Sequence, residues 1–265
     1  MAPIALTIAG SDSGGGAGIQ ADLKTFSALG VYGASVITAL TAQNTRGVTA
    51  IHDVPAAFVS AQIDAVFSDL DVGAVKIGMV SQCAVIEAIA AGLERWQQRQ
   101  VVLDPVMIAT SGDRLLAPDA IDVLKRVLMP RALVVTPNLP EAAALLDAPI
   151  ARTETEMRAQ GERLLAFGPQ AVLVKGGHAG GAEAVDLLIE PTAFTRLVGD
   201  RIATQNTHGT GCTLSSAIAA GLAKGSSLAE AARAAKSYVT SALAAGNRIA
   251  IGSGHGPVHH FHAWW

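Results

Sequence analysis

QNTHGTGCT, residues 205–213, is the stretch around which this sequence is best interpreted. Two glycines flank a threonine, and a run of small and apolar residues follows. Leu214, Ile218 and Leu222 are four residues apart, which places them on one face of a helix. The pattern predicts a glycine-rich turn leading into a helix N-terminus, where free backbone N–H groups and the helix dipole favour an anion such as phosphate. Taken alone, such a stretch is more often an ordinary loop before a buried helix.

Composition limits the possible protein classes. The 265 residues are 50% hydrophobic and 15% charged, which supports a large folded core and argues against disorder. The net charge of −3 argues against a nucleic-acid-binding surface, and no apolar run is long enough to span a bilayer. The N-terminus lacks a basic signal-peptide region, and two cysteines cannot build a disulfide framework. We therefore expect a cytoplasmic protein that binds neither nucleic acid nor membrane.

Short apolar runs alternate with helical patterns along the chain. The predicted strands cover 4–9, 32–41, 72–79, 101–103, 133–135 and 171–174, and a hairpin covers 184–189 and 194–198. The predicted helices cover 19–29, 56–67, 85–96, 120–128, 141–146, 156–167 and 228–245, besides the one after residue 213. This alternation predicts a three-layer α/β fold, in which helices cover both faces of a mostly parallel sheet. No linker divides the chain, so we expect a single domain over residues 1–265.

Polar residues and glycines collect just after the predicted strands. They are Asp12, Gln43, Gly78, Met79, Asp104, Asn138, Lys175 and Gly209. In open α/β sheets, ligands bind outside the carboxyl ends of the strands, so this distribution predicts a site at one edge of the sheet. Loops after strands are polar in many proteins, which makes the pattern suggestive rather than decisive.

Two other phosphate-binding motifs fail on inspection. Residues 16–21 match G-x-G-x-x-A, but the second strand carries no acidic residue for a ribose hydroxyl, and the next acid after it is Asp53. The P-loop pattern G-x-x-x-x-G-K-[ST] is absent from the sequence. The turn at 205–213 is therefore the best remaining candidate for a phosphate cradle.

Five polar residues suggest a particular chemistry. Lys175 precedes two glycines, which suits a phosphate contact, although a solvated loop lysine would look the same. Asp104, Asn138 and Glu141 offer the oxygen ligands that Mg²⁺ accepts beside water and substrate phosphates. Glu141 could equally be an acid in the first turn of a helix. Gln43 carries both a donor and an acceptor, which matches the ring-nitrogen and amino edge of an aminopyrimidine.

Seven motifs together resemble the hydroxymethylpyrimidine/phosphomethylpyrimidine kinases, the thiamine-biosynthesis branch of the ribokinase-like superfamily. They are GSD (10–12), QNT (43–45), KIGM (76–79), DPVM (104–107), TPNLPE (136–141), VKGGH (174–178) and HGTGCT (208–213). The resemblance covers almost the whole chain in order. It implies a ribokinase-like fold and a cytoplasmic homodimer. It also implies phosphorylation of 4-amino-5-hydroxymethyl-2-methylpyrimidine by MgATP, then of the monophosphate to the pyrophosphate.

The resemblance also implies roles for individual residues. Gln43 corresponds to the pyrimidine-binding glutamine, and Gly10, Asp22 and Met79 correspond to positions near the substrate pocket. The remaining matches concern ATP, Mg²⁺ and the transferred phosphoryl group. These matches are Lys175, Asn138 and Thr210 for ATP, Asp104 and Glu141 for Mg²⁺, and Gly209, Gly211 and Cys212, with Lys175, for catalysis.

Two departures from the superfamily pattern leave questions open. Most of the superfamily has a catalytic aspartate where Cys212 stands, whereas this branch usually has cysteine. Cys212 would act either as a thiolate base or mainly through its backbone N–H. Gly14 replaces a serine that is usual in the first glycine cluster. Two other functions also stay open: a pyridoxal or pyridoxine kinase of the same superfamily, and a non-catalytic pyrimidine-binding or nucleotide-binding module.

Overall fold

The computed structural model describes residues 2–107, 118–177 and 183–265; His178, the last residue of the VKGGH motif, lies outside them. Nine strands of the described residues form one sheet in the order β3-β2-β1-β4-β5-β6-β7-β8-β9. Their bounds are β1 Ile4–Asp12, β2 Tyr32–Asn44, β3 Gly47–Asp53, β4 Ala74–Ile77, β5 Val101–Leu103, β6 Val134–Val135, β7 Ala171–Lys175, β8 Glu183–Glu190 and β9 Ala193–Asp200.

The sheet is mostly parallel. Strands β2, β1, β4, β5, β6 and β7 pair in parallel, and β8 and β9 form the predicted antiparallel hairpin at one edge. Strand β3, at the other edge, was not predicted. It pairs antiparallel with β2 but buries none of its seven residues, so its sequence lacks the apolar alternation that marks a strand.

The described residues form eight α-helices, of which the first six connect strands and the last two follow β9. Their bounds are α1 Gly18–Ala28, α2 Ala56–Phe67, α3 Cys83–Arg95, α4 Pro118–Val123, α5 Leu139–Leu146, α6 Glu154–Leu165, α7 Thr210–Ala223 and α8 Leu228–Gly246. Helix α4 covers only part of the helix predicted at 120–128, because the segment Leu124–Leu128 continues as a π-helical turn. No helix of this described part is both long and apolar enough to cross a membrane.

Alternate side chains of the strands pack into two separate cores. Leu6 and Ile8 of β1 face one core together with residues of α2, α3, α5 and α6. Ala5 of the same strand faces the other core, which contains residues of α1, α7 and α8. Two-sided burial explains why the strands are continuous apolar runs. The predicted three-layer α/β fold is confirmed.

Candidate active site

A cavity of about 950 Å³ opens where the parallel strands end. The predicted site residues that line it are Gly10, Gln43, Met79, Asp104, Asn138, Glu141, Lys175, Gly209, Thr210, Gly211 and Cys212. The structure therefore brings together every residue predicted for the site except Asp22. They meet because the carboxyl ends of parallel strands lie at the same edge of the sheet.

The turn before α7 has the geometry of an anion site. Gly209 caps the helix with φ of +76°, and a Cβ on this residue would lie 1.9 Å from the carbonyl oxygen of Gly16. Only glycine can adopt this backbone conformation beside so close a neighbour. A Cβ placed on Gly211 would lie 3.3 Å from Lys175 Nζ. The start of α7 at Gly211 and the Lys175 ammonium therefore border the same space.

Lys175 lies between two carboxylates. Its Nζ is 2.7 Å from Asp104 Oδ1 and 3.8 Å from Glu141 Oε2, and all three side chains are largely buried. Although burial opposes both charges, the pKa of Asp104 is lowered and that of Lys175 is raised, because each stabilises the charged form of the other. Thr136 Oγ1 donates a further hydrogen bond of 3.0 Å to Asp104. The ammonium is thus held in place by Asp104.

Glu141 combines a structural contact with an unusual charge state. It forms a capping box with Asn138: each side chain accepts the backbone N–H of the other residue, at 2.9 and 2.7 Å. Burial raises the pKa of Glu141 to about 7 and the nearby Asp104 adds to this rise, whereas Lys175 opposes it. A cation close to Glu141 would relieve this cost of ionisation.

The donor set fits Mg²⁺ held jointly with a phosphorylated ligand. The described residues contain no cluster of three or more His, Cys, Asp or Glu arranged to hold a metal ion. Mg²⁺ typically takes one or two carboxylates and completes its coordination with water and substrate phosphates. Asp104 and Glu141 would supply those carboxylates, both at the edge of the cavity that contains Lys175.

The Cys212 thiol is a poor candidate for a thiolate at neutral pH. Burial raises its pKa to about 11, and the carboxylates of Asp22 and Asp104 act in the same direction. Lys76 and a hydrogen bond from the backbone N–H of Gly18 lower the pKa, but they do not overcome the burial. The thiol therefore stays protonated in the protein as described.

The structure places Asp22 below the cavity and not in its wall. The side chain is completely buried and pairs with Lys76 Nζ at 2.8 Å, and the hydroxyl groups of Thr7 and Ser216 donate to the same carboxylate at 2.6 and 2.5 Å. Asp22, predicted to lie near the substrate pocket, is therefore not among the residues that line the cavity. Because α1 packs against the sheet, its inward-facing acid contacts the β4 lysine and not the cavity.

Gln43 and Met79 lie at the end of the cavity beside β1 and β2. A Cβ at Gly10 would come within 2.7 Å of Met79 Cε, so the absence of a side chain at Gly10 makes room for the methionine. The two ends of the Gln43 carboxamide lie 3.1 Å from Thr41 Oγ1 and 3.4 Å from His208 Nε2. The amide therefore has a contact at each end, and Gln43 lines the cavity.

The cavity also has parts that sequence reasoning missed. Its far end is lined by the apolar side chains of Leu214, Val239 and Leu243. Beside them Asp186 pairs with Lys236 at 2.7 Å. These residues lie in β8, α7 and α8 without any recognisable motif, so no signal in the sequence marked them.

Comparison with known proteins agrees with this arrangement. The family model described as phosphomethylpyrimidine kinase matches residues 12–259. A hydroxymethylpyrimidine/phosphomethylpyrimidine kinase from Rhizobium meliloti (strain 1021) is 66% identical over 100% of this chain and 99% of the relative. Among solved structures, a phosphomethylpyrimidine kinase from Clostridium difficile 630 is 48% identical, with a TM-score of 0.80 over 91% of this chain and 99% of that one. An ADP complex of Bacillus subtilis pyridoxal kinase is 36% identical, with a TM-score of 0.92 over 99% of both chains. The chain belongs to the phosphomethylpyrimidine kinase family.

Proposed function

We propose that this protein phosphorylates 4-amino-5-hydroxymethyl-2-methylpyrimidine with ATP and then phosphorylates the monophosphate to the pyrophosphate, as a step of thiamine biosynthesis. One observation carries the proposal: a single cavity joins the Gln43 amide edge to the anion turn at Gly209–Cys212. Lys175 and its two carboxylates border the same turn. The names of the full-length relatives support the same activity.

Positioning and charge stabilisation dominate phosphoryl transfer, because its transition state is loose. Lys175 and the N–H groups of Gly209, Gly211 and Cys212 would meet the charge that builds on the transferred group. Mg²⁺, when bound at Asp104 and Glu141, would neutralise phosphate charge. Asn138 supports this end of the site indirectly, because its capping box orients Glu141.

Cys212 acts in this proposal through its backbone and not through a thiolate. Its raised pKa supports a neutral thiol, and its N–H belongs to the first turn of α7. Proton removal from the substrate hydroxyl matters little while the transition state is loose. Thr210 has a different role in the turn, because its backbone N–H and its hydroxyl both donate to the carbonyl of Thr207, at 3.2 and 2.7 Å.

The two ends of the cavity suit the two ligands. Gln43 would pair with the amino and ring-nitrogen edge of the pyrimidine, and Met79 would pack against the ring. The apolar far end formed by Leu214, Val239 and Leu243 would receive the adenine of ATP. The ADP bound to the pyridoxal kinase of similar fold supports nucleotide use.

Pyridoxal phosphorylation is the second candidate, because a pyridoxal kinase shares this fold over almost its whole length. An ATP-consumption assay with hydroxymethylpyrimidine, its monophosphate and pyridoxine separates the alternatives. We expect turnover of the first two substrates. Turnover of pyridoxine alone would favour the pyridoxal kinase, and binding without turnover of all three would favour a non-catalytic module.

Three broader assignments belong to this proposal. One sheet running from Ile4 to Asp200 supports a single domain over residues 1–265. The half-exposed apolar side chains of Leu40 and Ile51, at the β2–β3 edge, support the homodimer implied by the resemblance. Two free cysteines are consistent with a cytoplasmic location. Size-exclusion chromatography with light scattering would test the homodimer.

A further inference from the structure

His208 links the Gln43 end of the cavity to the anion turn, and the proposed mechanism gives it no role. It directly precedes Gly209, it is 7% exposed, and its Nε2 lies 3.0 Å from Asp12 Oδ2. The same nitrogen lies 3.4 Å from one end of the Gln43 carboxamide. A Cβ on Gly16 would come within 2.4 Å of His208 Cδ2, so the imidazole packs closely on the first glycine loop.

Asp12 determines which ring nitrogen of His208 carries a hydrogen. Its carboxylate accepts the backbone N–H groups of Gly14, Gly16 and Ala17 at 2.8, 3.0 and 2.8 Å. Burial alone would raise the pKa of Asp12, but the hydrogen bonds from His208 and the loop lower it. An ionised carboxylate can only accept hydrogen bonds. His208 Nε2 must therefore donate.

The hydrogens available on His208 and Thr41 then decide which end of the Gln43 carboxamide faces His208. With its amino group toward His208, two N–H groups would oppose each other. Its oxygen would then also require the Thr41 hydroxyl hydrogen, which already has an acceptor in the carbonyl of Ser11 at 2.9 Å. Turning the amide by half a turn removes both conflicts. The Gln43 oxygen then lies 3.4 Å from Nε2 and is a second, longer acceptor of the one Nε2 hydrogen, which Asp12 accepts at 3.0 Å. The Gln43 amino group donates to Thr41, while Thr41 donates to Ser11.

We infer that His208, anchored by Asp12, is a specificity-determining residue that orients the Gln43 carboxamide. His208 keeps the amide oxygen of Gln43 facing the imidazole. This fixes the positions of the acceptor and the donor that Gln43 presents to the pyrimidine ring. The inference rests on the proposed substrate-binding role of Gln43. The ligand class selected is a 4-aminopyrimidine, with an amino donor beside a ring-nitrogen acceptor. The 4-oxo analogue presents a carbonyl acceptor beside a ring N–H, which is the reverse order.

The test compares kcat/KM for hydroxymethylpyrimidine and for its 4-oxo analogue. A site built around hydrogen bonds typically rejects a mismatched analogue by roughly 10⁴-fold, and we expect the wild type to prefer the amino compound to about that extent. In His208→Leu the amide is free to turn, so the preference should fall by about tenfold or more, with the KM for ATP little changed. His208→Gln keeps a donor at this position and should retain the preference within a few-fold.

Several results would overturn the inference. One is an equal loss of kcat/KM for both compounds in His208→Leu, which would mean that the imidazole only supports the turn. Another is a preference for the amino compound that survives Gln43→Ala. If His208→Leu does not fold, Thr41→Val provides a second test. It removes the partner at the other end of the amide and should also lower the preference, and an unchanged preference would overturn the inference. A wild type that turns over neither compound would instead defeat the proposed function itself.

Discussion

Replacing Glu141 by glutamine tests the electrostatics of the site in the absence of ligand. Burial places the pKa of Glu141 at about 7 instead of the usual 4.5. A difference of about 2.5 in pKa corresponds to about 3–4 kcal/mol, at about 1.4 kcal/mol for each pKa unit. The glutamine side chain has no charge to desolvate, and its amide oxygen would still accept the N–H of Asn138.

The sign of the effect follows from proton linkage. A carboxyl group whose pKa is raised by folding contributes stability below its unfolded pKa, and this contribution is lost as the pH rises through the folded pKa. Wild type should therefore lose up to about 3–4 kcal/mol relative to Glu141→Gln between about pH 4.5 and pH 7. The substitution could also weaken the capping box with Asn138. That effect does not depend on pH, so it cancels when the stability difference between variant and wild type is compared at two pH values.

The assay is urea unfolding of the ligand-free protein, followed by circular dichroism at about pH 5 and about pH 8. The free energy of unfolding of Glu141→Gln, relative to that of wild type, should be higher at about pH 8 than at about pH 5. Glu87→Gln, at an exposed position of α3, serves as the matched control and should show no such gain. A stability difference between Glu141→Gln and wild type that is the same at both pH values would refute the argument from burial.

Three further substitutions test the turn and the layer beneath it. Cys212→Ala should keep kcat within about tenfold of wild type, and a loss of about 10²-fold or more would instead indicate a general base. Gly209→Ala should lower kcat by about 10²-fold or more, because it displaces the anion-binding N–H groups. The matched control is Gly225→Ala, at a turn with φ of +85° where no atom of the described residues lies within 4 Å of the added Cβ, and it should keep full activity. Lys76→Met should cost about 3–5 kcal/mol in urea unfolding, because it leaves the buried Asp22 unpaired. Adding Asp22→Asn should recover part of that loss, and simple additivity of the two costs would contradict the pairing.

Much of the site could be predicted because parallel strands expose their carboxyl ends at one edge. Lys175, Asn138 and Gln43 each follow an apolar run, so the alternation of strands and helices was enough to place them together. The far end of the cavity could not be predicted in this way. Leu214, Val239 and other apolar residues there look like ordinary core residues until the packing of α7 and α8 leaves them facing a cavity.

By itself, the sequence determined the layered α/β fold and the edge of the sheet at which chemistry occurs. Both depend on local periodicity and on where strands end, and these are properties of neighbouring residues. Only the tertiary structure decided the charge states and the exact contacts. Asp22 and Glu141 are both acids near the start of a helix, yet one neutralises a buried lysine and the other borders the cavity with a raised pKa. Burial and charged partners distant in the chain set those differences, and they exist only once the chain has folded.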